Sequence, residues 1–122
     1  MKTTPTRVEK PWGHETIWAS TDLYVGKVLH VEAGESLSLQ YHEVKTETLH
    51  VLTGSVRLEV GASVDDLESV VLGPGEGFHL PAGTIHRLDA LETADVLEAS
   101  TPHLDDLVRL EDRYGRGRDD RS

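Results

Sequence analysis

Residues 34–54 read GESLSLQYHEVKTETLHVLTG, and residues 75–86 read GEGFHLPAGTIH. Glycines bound the first frame, and glycines with one proline punctuate the second, at spacings that suit short strands joined by tight turns. Four polar residues stand at fixed offsets inside the two frames: Gln40, His42, Glu47 and His86. The sequence therefore predicts a small β-protein in which these four side chains are candidate metal ligands.

The parity of the four residues places them on inward faces. Gln40 and His42 project to one side if residues 36–42 are extended, because alternate residues of a strand share a face. Glu47 and His86 share parity with apolar residues of their own predicted strands. An inward carboxylate and two inward histidines are costly without a partner. A divalent metal would be that partner, and imidazole and carboxylate ligands suit Zn, Mn, Fe, Co or Ni.

An ordinary structural or surface role is the simpler interpretation of any single histidine, and this chain has seven. We expect that role for the remaining five: His14, His30, His50, His79 and His103. Two separate frames carrying polar residues at fixed offsets favour a metal pocket over coincidence, even though short motifs give false positives.

Composition predicts one cytoplasmic domain. The 122 residues are enough for a single core, and the chain has no cysteine for disulfides or thiolate sites. No apolar run approaches the ~18 residues that span a bilayer, and the first residues lack the apolar segment of a secretion signal. The formal net charge of −10 argues against a nucleic acid partner. We expect no membrane association.

The chain is predicted to be almost entirely β. Short strands at regular spacing are typical of a sandwich or barrel. Turn signals are a hairpin turn at 53–54, a polar loop at 61–67 and a sharp reversal at 73–75. The predicted strands cover residues 15–19, 24–32, 36–41, 47–53, 55–60, 68–72, 77–80, 85–89 and 94–100.

The two ends of the chain are less regular. Residues 105–114 fit either a short helix, since Leu107, Leu110 and Tyr114 lie at helical spacing, or a strand that closes the sheet. We predict a single domain over residues 1–116 and a polar tail over 117–122. Near the start, Trp12 is expected in a structural corner rather than against a ligand.

The two frames resemble the paired motifs of the cupin superfamily. This resemblance implies a double-stranded β-helix, or jelly-roll, barrel that holds a metal through Gln40, His42, Glu47 and His86. Two positions depart from the commonest pattern. Gln40 stands where many cupins have a first histidine, and Ala90 stands where the second motif usually ends in Asn.

Four segments resemble one branch of that superfamily, type II mannose-6-phosphate isomerase: KPWG at 10–13, LSLQYH at 37–42, HRL at 86–88 and DDLVRLEDRYGR at 105–116. The pairing of Gln40 with His42 is normal in this branch, where such a domain often forms the C-terminal part of a bifunctional enzyme with mannose-1-phosphate guanylyltransferase. The resemblance implies aldose–ketose isomerisation of a sugar or sugar phosphate. Lys45 stands where the family has an arginine, and the two are not interchangeable at a site that binds an oxyanion.

Isomerisation through an enediol requires a metal or other electrophile at the oxygens and a base that moves the proton. Lys27 and Lys45 are the candidate catalytic residues, with a metal-bound hydroxide as the alternative. Arg87 and Arg109, with Lys27, are the candidate phosphate-binding residues, although the parity of Arg87 also suits an outward surface position. The acidic balance of the chain disfavours an anionic substrate at long range, but a basic pocket overrides it within roughly 8 Å.

Two other function classes stay open from the sequence. A metal-dependent dioxygenase fits because His42, Glu47 and His86 resemble a two-histidine, one-carboxylate set. A non-catalytic cupin that binds a carbohydrate or another small metabolite also fits. In each case we expect a homodimer, because unpaired edge strands of small β-proteins invite pairing.

Overall fold

The computed structural model describes residues 1–114, and this part of the chain contains eleven strands and no helix. The prediction of an all-β chain is therefore confirmed. The strands are β1 (Thr6–Lys10), β2 (Gly13–Ser20), β3 (Val25–Val31), β4 (Leu39–Tyr41), β5 (Glu47–Thr53), β6 (Val56–Gly61), β7 (Glu68–Leu72), β8 (Gly77–Leu80), β9 (Ile85–Ala90), β10 (Ala94–Ser100) and β11 (Val108–Glu111).

The strands form two antiparallel sheets. The larger sheet has the order β1-β2-β3-β10-β5-β8, and the smaller has the order β11-β4-β9-β6-β7. One apolar cluster draws on both, including Val51 and Val96 from the larger sheet and Val56, Leu58 and Leu88 from the smaller. The two sheets therefore pack against each other across a single core.

Alternation along the strands decides which residues enter that core. In β5 the inward positions are Glu47, Leu49 and Val51, and the residues between them are exposed. β6 alternates in the same way, with Val56 and Leu58 fully buried. Because the side-chain period of a strand is two, the apolar residues fix the register, and Glu47 is carried inward with them.

The turn at Gly54 is real, but the prediction of a hairpin there is wrong. β5 and β6 lie in different sheets, so the turn carries the chain from one sheet to the other. Gly54 has φ of +80°, and a Cβ at this position would lie 2.2 Å from the carbonyl oxygen of Thr93. Local turn chemistry specifies a reversal of the chain, whereas the choice of sheet depends on which strands are free to pair.

The segment 105–114 was open between helix and strand, and the structure shows the strand. β11 pairs with β4, which would otherwise be an unpaired edge, and this pairing outweighs the helical spacing of three apolar residues. A strand that the sequence did not predict is β1, which is mostly exposed and lacks apolar alternation. Conversely, the predicted strand 36–41 is regular only over Leu39–Tyr41. The predicted tail at 117–122 lies outside the described residues.

Trp12 lies at the predicted structural corner at residues 11–13. Its side chain is buried in the core, and its carbonyl oxygen accepts a hydrogen bond from the N–H of Glu32. Trp18, by contrast, is about half exposed and lies over Gly26 on the outer face of the larger sheet.

Candidate metal centre

The candidate ligands come from both sheets and meet between them. Gln40 on β4 and His86 on β9 are Cα partners in the smaller sheet, so their side chains share a face. His42 follows β4 by one residue. Glu47 opens β5 in the larger sheet. All four side chains are buried.

The carboxylate of Glu47 lies beside both imidazoles. Its Oε1 is 3.3 Å from Nε2 of His86 and 3.9 Å from Nε2 of His42. One ligand atom from each of the three residues fits within a mutual distance of 4.8 Å. The structure therefore brings these three residues together.

Backbone carbonyls fix the tautomer of each histidine. Nδ1 of His86 donates to the carbonyl oxygen of Thr84 at 2.9 Å, and Nδ1 of His42 donates to the carbonyl oxygen of Asp106. A carbonyl oxygen can only accept, so each Nδ1 must carry the proton. Both Nε2 atoms consequently present lone pairs to Glu47. Metal-bound histidines are held by outer hydrogen bonds of this kind.

This donor set fits a cation. Nε2 of His42 is buried and has no hydrogen-bond partner among residues 1–114. Burial lowers the pKa of His42, which keeps the ring neutral and ready to ligate. Two lone pairs facing one carboxylate repel each other unless a positive charge lies among them. Two imidazoles and one carboxylate suit Zn, Mn, Fe, Co or Ni.

Gln40 lies next to the three ligands, but its amide is turned. Ser38 donates to Oε1 of Gln40 at 2.8 Å, and Nε2 of Gln40 lies 3.4 Å from Nε2 of His86. A half-turn of the amide would present Oε1 to an ion, and Ser38 could then accept from the amide NH₂. Gln40 thus has the position of a fourth ligand and needs this rotation to serve as one.

Asp106 holds the turn that follows His42. Its carboxylate accepts hydrogen bonds from the backbone N–H groups of Glu43, Val44 and Lys45 at 2.7 to 2.9 Å. Burial alone would raise the pKa of Asp106, but these N–H donors lower it. Because its carbonyl oxygen also holds His42, this one residue fixes both the turn and a ligand.

Lys45 bridges two buried carboxylates. Its Nζ lies 3.0 Å from Oε2 of Glu47 and 3.2 Å from Oε2 of Glu98. Burial alone would lower the pKa of Lys45, but the two carboxylates raise it above its ordinary value. Burial alone would raise the pKa of Glu47, but the ammonium of Lys45 beside it holds that pKa below its usual range. Lys45 is therefore a fixed cation beside the ligands.

A second buried ion pair, between Lys27 and Glu15, completes the charged wall of the site. We use this name for Glu15, Lys27, Lys45, Glu47 and Glu98. Nζ of Lys27 lies 3.4 Å from each carboxylate oxygen of Glu15. Burial raises the pKa of Glu98, and the negative charge of Glu47 adds to that effect. Sequence reasoning missed Glu15 and Glu98. Parity could have found Glu98, because it lies two residues from the inward Val96 on β10 and therefore faces the same side.

These charged groups line a cavity of about 30 Å³ that also touches Trp12, Gln40 and His42. Leu104 and Leu107, from the segment between β10 and β11, complete its lining. Leu104 is itself partly exposed, so this segment separates the cavity from solvent. Ligand pockets for small molecules are about 300–1,000 Å³, so the cavity as it stands admits an ion and water but no sugar.

The structure separates the two predicted arginines. Arg109 is fully buried on β11, where its Cα partner is Gln40. Arg87 lies on the outer face of the smaller sheet and pairs with Glu59 and Glu111 at 3.2 and 3.3 Å. The structure therefore brings Arg109 to the interior and does not bring Arg87 there.

The other five histidines lie outside the ligand cluster. His14 and His30 stack on each other, with ring centroids 4.8 Å apart, and His30 bonds to Asp95. The side chains of His50, His79 and His103 are exposed. Burial and inward parity, rather than the presence of histidine, distinguish the cluster.

Known proteins resemble this chain over nearly all of its length. The family model described as "Mannose-6-phosphate isomerase C-terminal" matches residues 1–112. Mannose-1-phosphate guanylyltransferase ManC of Salmonella typhimurium is 33% identical over 114 residues, which are 89% of this chain and 23% of the relative. Alginate biosynthesis protein AlgA of Pseudomonas aeruginosa is 32% identical over 117 residues, again 89% of this chain and 23% of the relative. The chain thus spans about a quarter of the length of these relatives.

Solved structures share the fold. KdgF from Halomonas sp. superposes with a TM-score of 0.69 at 24% identity, covering 82% of this chain and 88% of that one. Oxalate decarboxylase from Bacillus subtilis superposes with a TM-score of 0.77 at 16% identity, covering 87% of this chain and 30% of that one. Likeness at these identities shows the fold alone, which is that of a cupin. With the match over residues 1–112, it follows that the chain belongs to the Mannose-6-phosphate isomerase C-terminal family of cupins.

Proposed function

We propose that this protein is a metal-dependent aldose–ketose isomerase that acts on a sugar phosphate, with mannose 6-phosphate as the first substrate to test. The observation that carries the proposal is the buried meeting of Glu47 with Nε2 of His42 and Nε2 of His86. The family match over residues 1–112 supports the choice of reaction.

No helix in residues 1–114 has the length and apolar character to cross a membrane.

The chemistry would use the ion and the surrounding charges together. A divalent ion held by His42, Glu47, His86 and a rotated Gln40 would supply electrophilic stabilisation of the oxygens that become negative in an enediol. Lys45 keeps Glu47 ionised and oriented. With its raised pKa, Lys45 stays protonated near neutral pH, so we assign it electrostatic stabilisation rather than proton abstraction.

Local charge supports an anionic substrate despite the net charge of −10. Inside the charged wall, the three carboxylates of Glu15, Glu47 and Glu98 face the two ammonium groups of Lys27 and Lys45, which leaves one negative charge in excess. A bound divalent ion would turn that single negative charge into a single positive one. Arg109 is buried on β11, where its Cα partner is Gln40. We propose Arg109 and Lys27 as the groups that receive the phosphate once the covering segment moves.

Turnover tests the proposal directly. Chelator-treated protein is loaded separately with Zn, Mn, Fe, Co or Ni, and conversion of mannose 6-phosphate to fructose 6-phosphate is followed by NMR. At least one metal should support turnover, and a chelator should abolish it. His86→Ala should lose both metal and turnover, whereas the exposed control His79→Ala should keep both. A loaded wild-type protein without turnover would contradict the proposal.

The two-histidine, one-carboxylate set also favours a second candidate function, that of a metal-dependent dioxygenase. Oxygen consumption by the iron-loaded protein, measured with a panel of small organic acids and sugars, separates the two. Metal binding and sugar-phosphate binding without turnover of either kind would indicate a non-catalytic cupin.

We also propose that the protein is a homodimer. Both sheets end in edge strands, β1 and β8 in the larger and β11 and β7 in the smaller, and edge strands of small β-proteins invite pairing with another chain. Light scattering on a size-exclusion column should report about twice the chain mass of 13.5 kDa. A particle of the chain mass itself would reject the dimer.

A further inference from the structure

The proposed isomerisation leaves one role unfilled, because Glu47 is committed to the ligand cluster and Nζ of Lys45 is held between Glu47 and Glu98. A group must take the proton from C2 of the open-chain aldose and return it to C1. Apart from Glu47, the cavity lining contains two buried carboxylates, Glu15 and Glu98. Their surroundings differ, and the difference assigns the role.

Glu15 is fully engaged. Both of its oxygens lie 3.4 Å from Nζ of Lys27, so the carboxylate is paired with that ammonium and holds it in place. A carboxylate shared in this way orients Lys27 but has no free oxygen directed elsewhere among the described residues. Glu15 therefore supports the wall of the cavity.

Glu98 keeps one oxygen open. It lies on β10 between Lys27 on β3 and Leu49 on β5, which are its Cα partners, and it points inward. Its Oε2 lies 3.2 Å from Nζ of Lys45 but has no hydrogen-bond partner among residues 1–114. Since Lys45 also touches Glu47, one ammonium fixes Glu98 against the ligand cluster. A group with an open oxygen at this place can reach a substrate bound beside Glu47.

We propose that Glu98 is the catalytic acid–base residue of the isomerisation. Its carboxylate accepts the proton from C2; the C2–H bond pair forms the C1=C2 double bond, and the C1 carbonyl oxygen takes up a proton to give the enediol. Glu98 then returns the proton to C1 as O2 loses its own proton and becomes the C2 carbonyl oxygen. Two protons change place, nothing is oxidised from outside, and no co-reactant is needed. The proposal rests on the isomerase function proposed above.

The variant that tests this role is Glu98→Gln, which keeps the size of the side chain and removes the basic oxygen. General acid–base catalysis contributes about 10²–10⁴-fold, so kcat should fall by at least about 100-fold while KM and bound metal stay within about threefold. With mannose 6-phosphate deuterated at C2, the isotope effect on kcat should be larger than in the wild type, because proton transfer becomes the slow step. Glu98→Asp should recover part of kcat.

The control is Glu59→Gln on the outer face of β6, where Glu59 pairs with Arg87, and it should keep kcat within threefold. Thermal unfolding and metal content of every variant are measured in parallel. Turnover by Glu98→Gln at the wild-type rate, or a loss of turnover that follows loss of metal or of folding, overturns the role of Glu98 and leaves the isomerase function standing. Wild-type protein that fails to turn over overturns both.

Discussion

The interior of this protein has two halves of opposite chemistry built on the same three strands. At one end of β3, β5 and β10 the inward side chains are Lys27, Glu47 and Glu98. Two positions away from them, the inward side chains are apolar: Leu29 after Lys27, Leu49 after Glu47 and Val96 before Glu98. The charged half consists of these three ionic residues with Glu15, Lys45 and the histidine ligands. The apolar half is the core cluster around Val51 and Leu58.

The two halves hold together for different reasons. Apolar burial is non-directional and roughly proportional to area, so the apolar half depends on volume. Buried charges are stable only when each has a partner in good geometry, so the charged half depends on pairing. Variants that break one half and spare the other can therefore separate folding from site chemistry.

The largest effect should come from Lys45→Met, which removes the cation between Glu47 and Glu98. Breaking a buried pair by removing one partner costs about 3–5 kcal/mol, because the remaining charges are left uncompensated. Urea unfolding of the metal-free protein measures this loss of stability. A change below about 1 kcal/mol would mean that the bridge does not hold the charged half together.

Leu58→Ala should come next and should affect only the apolar half. Leu58 is fully buried on β6, and leucine-to-alanine truncations in cores cost about 2–5 kcal/mol. Metal affinity, measured by titration at a temperature where the variant is still folded, should stay within about threefold of wild type. If the metal affinity falls with stability, the two halves are not independent.

Metal itself should stabilise the charged half. Adding one of the five candidate ions at 100 times its Kd should raise the free energy of unfolding by about 2.7 kcal/mol, because the ion binds the folded chain only. Thermal unfolding with and without chelator measures the shift. His86→Ala should remove it, while the exposed His79→Ala should not.

Asp106→Asn should give the smallest change and the most specific one. Losing charge-assisted bonds to three backbone N–H groups should cost about 1–2 kcal/mol. Because the folded pKa of Asp106 is lowered, its contribution is present above the unfolded pKa near 3.8 and disappears as the pH falls through the folded value. Urea unfolding at pH 7 and below pH 4 should show the difference between variant and wild type shrinking at the acid end. If the difference in unfolding free energy between variant and wild type were the same in acid, the effect would come from the shape of the Asp106 side chain rather than from its charge.

Much of this arrangement could be predicted from the sequence. Parity placed Glu47 and His86 on the inward side, because apolar residues two positions away fix the register. The sequence could not show that the turn at Gly54 leads to the other sheet, since sheet membership is a long-range choice. Nor did it identify β1, whose pairing is decided by β2 rather than by its own pattern.

The charged half was the part most incompletely predicted. Lys27 and Lys45 were expected near the site as bases, yet nothing local indicated that each is neutralised by a particular carboxylate. Glu15 and Glu98 acquire their roles only when β2, β3 and β10 lie side by side. An ion pair between distant residues leaves no mark in a single sequence, whereas strand parity does.

The ion would also act as a reporter of assembly. Gln40 and His86 are 46 residues apart along the chain, and Glu47 joins them only when the opposite sheet is in place. Neither sheet alone contains the complete donor set, so tight capture of a metal can begin only after both sheets have come together. Chains dominated by such distant contacts fold slowly. The rate of metal uptake during refolding would therefore report the last step, in which the two sheets come together, rather than the first.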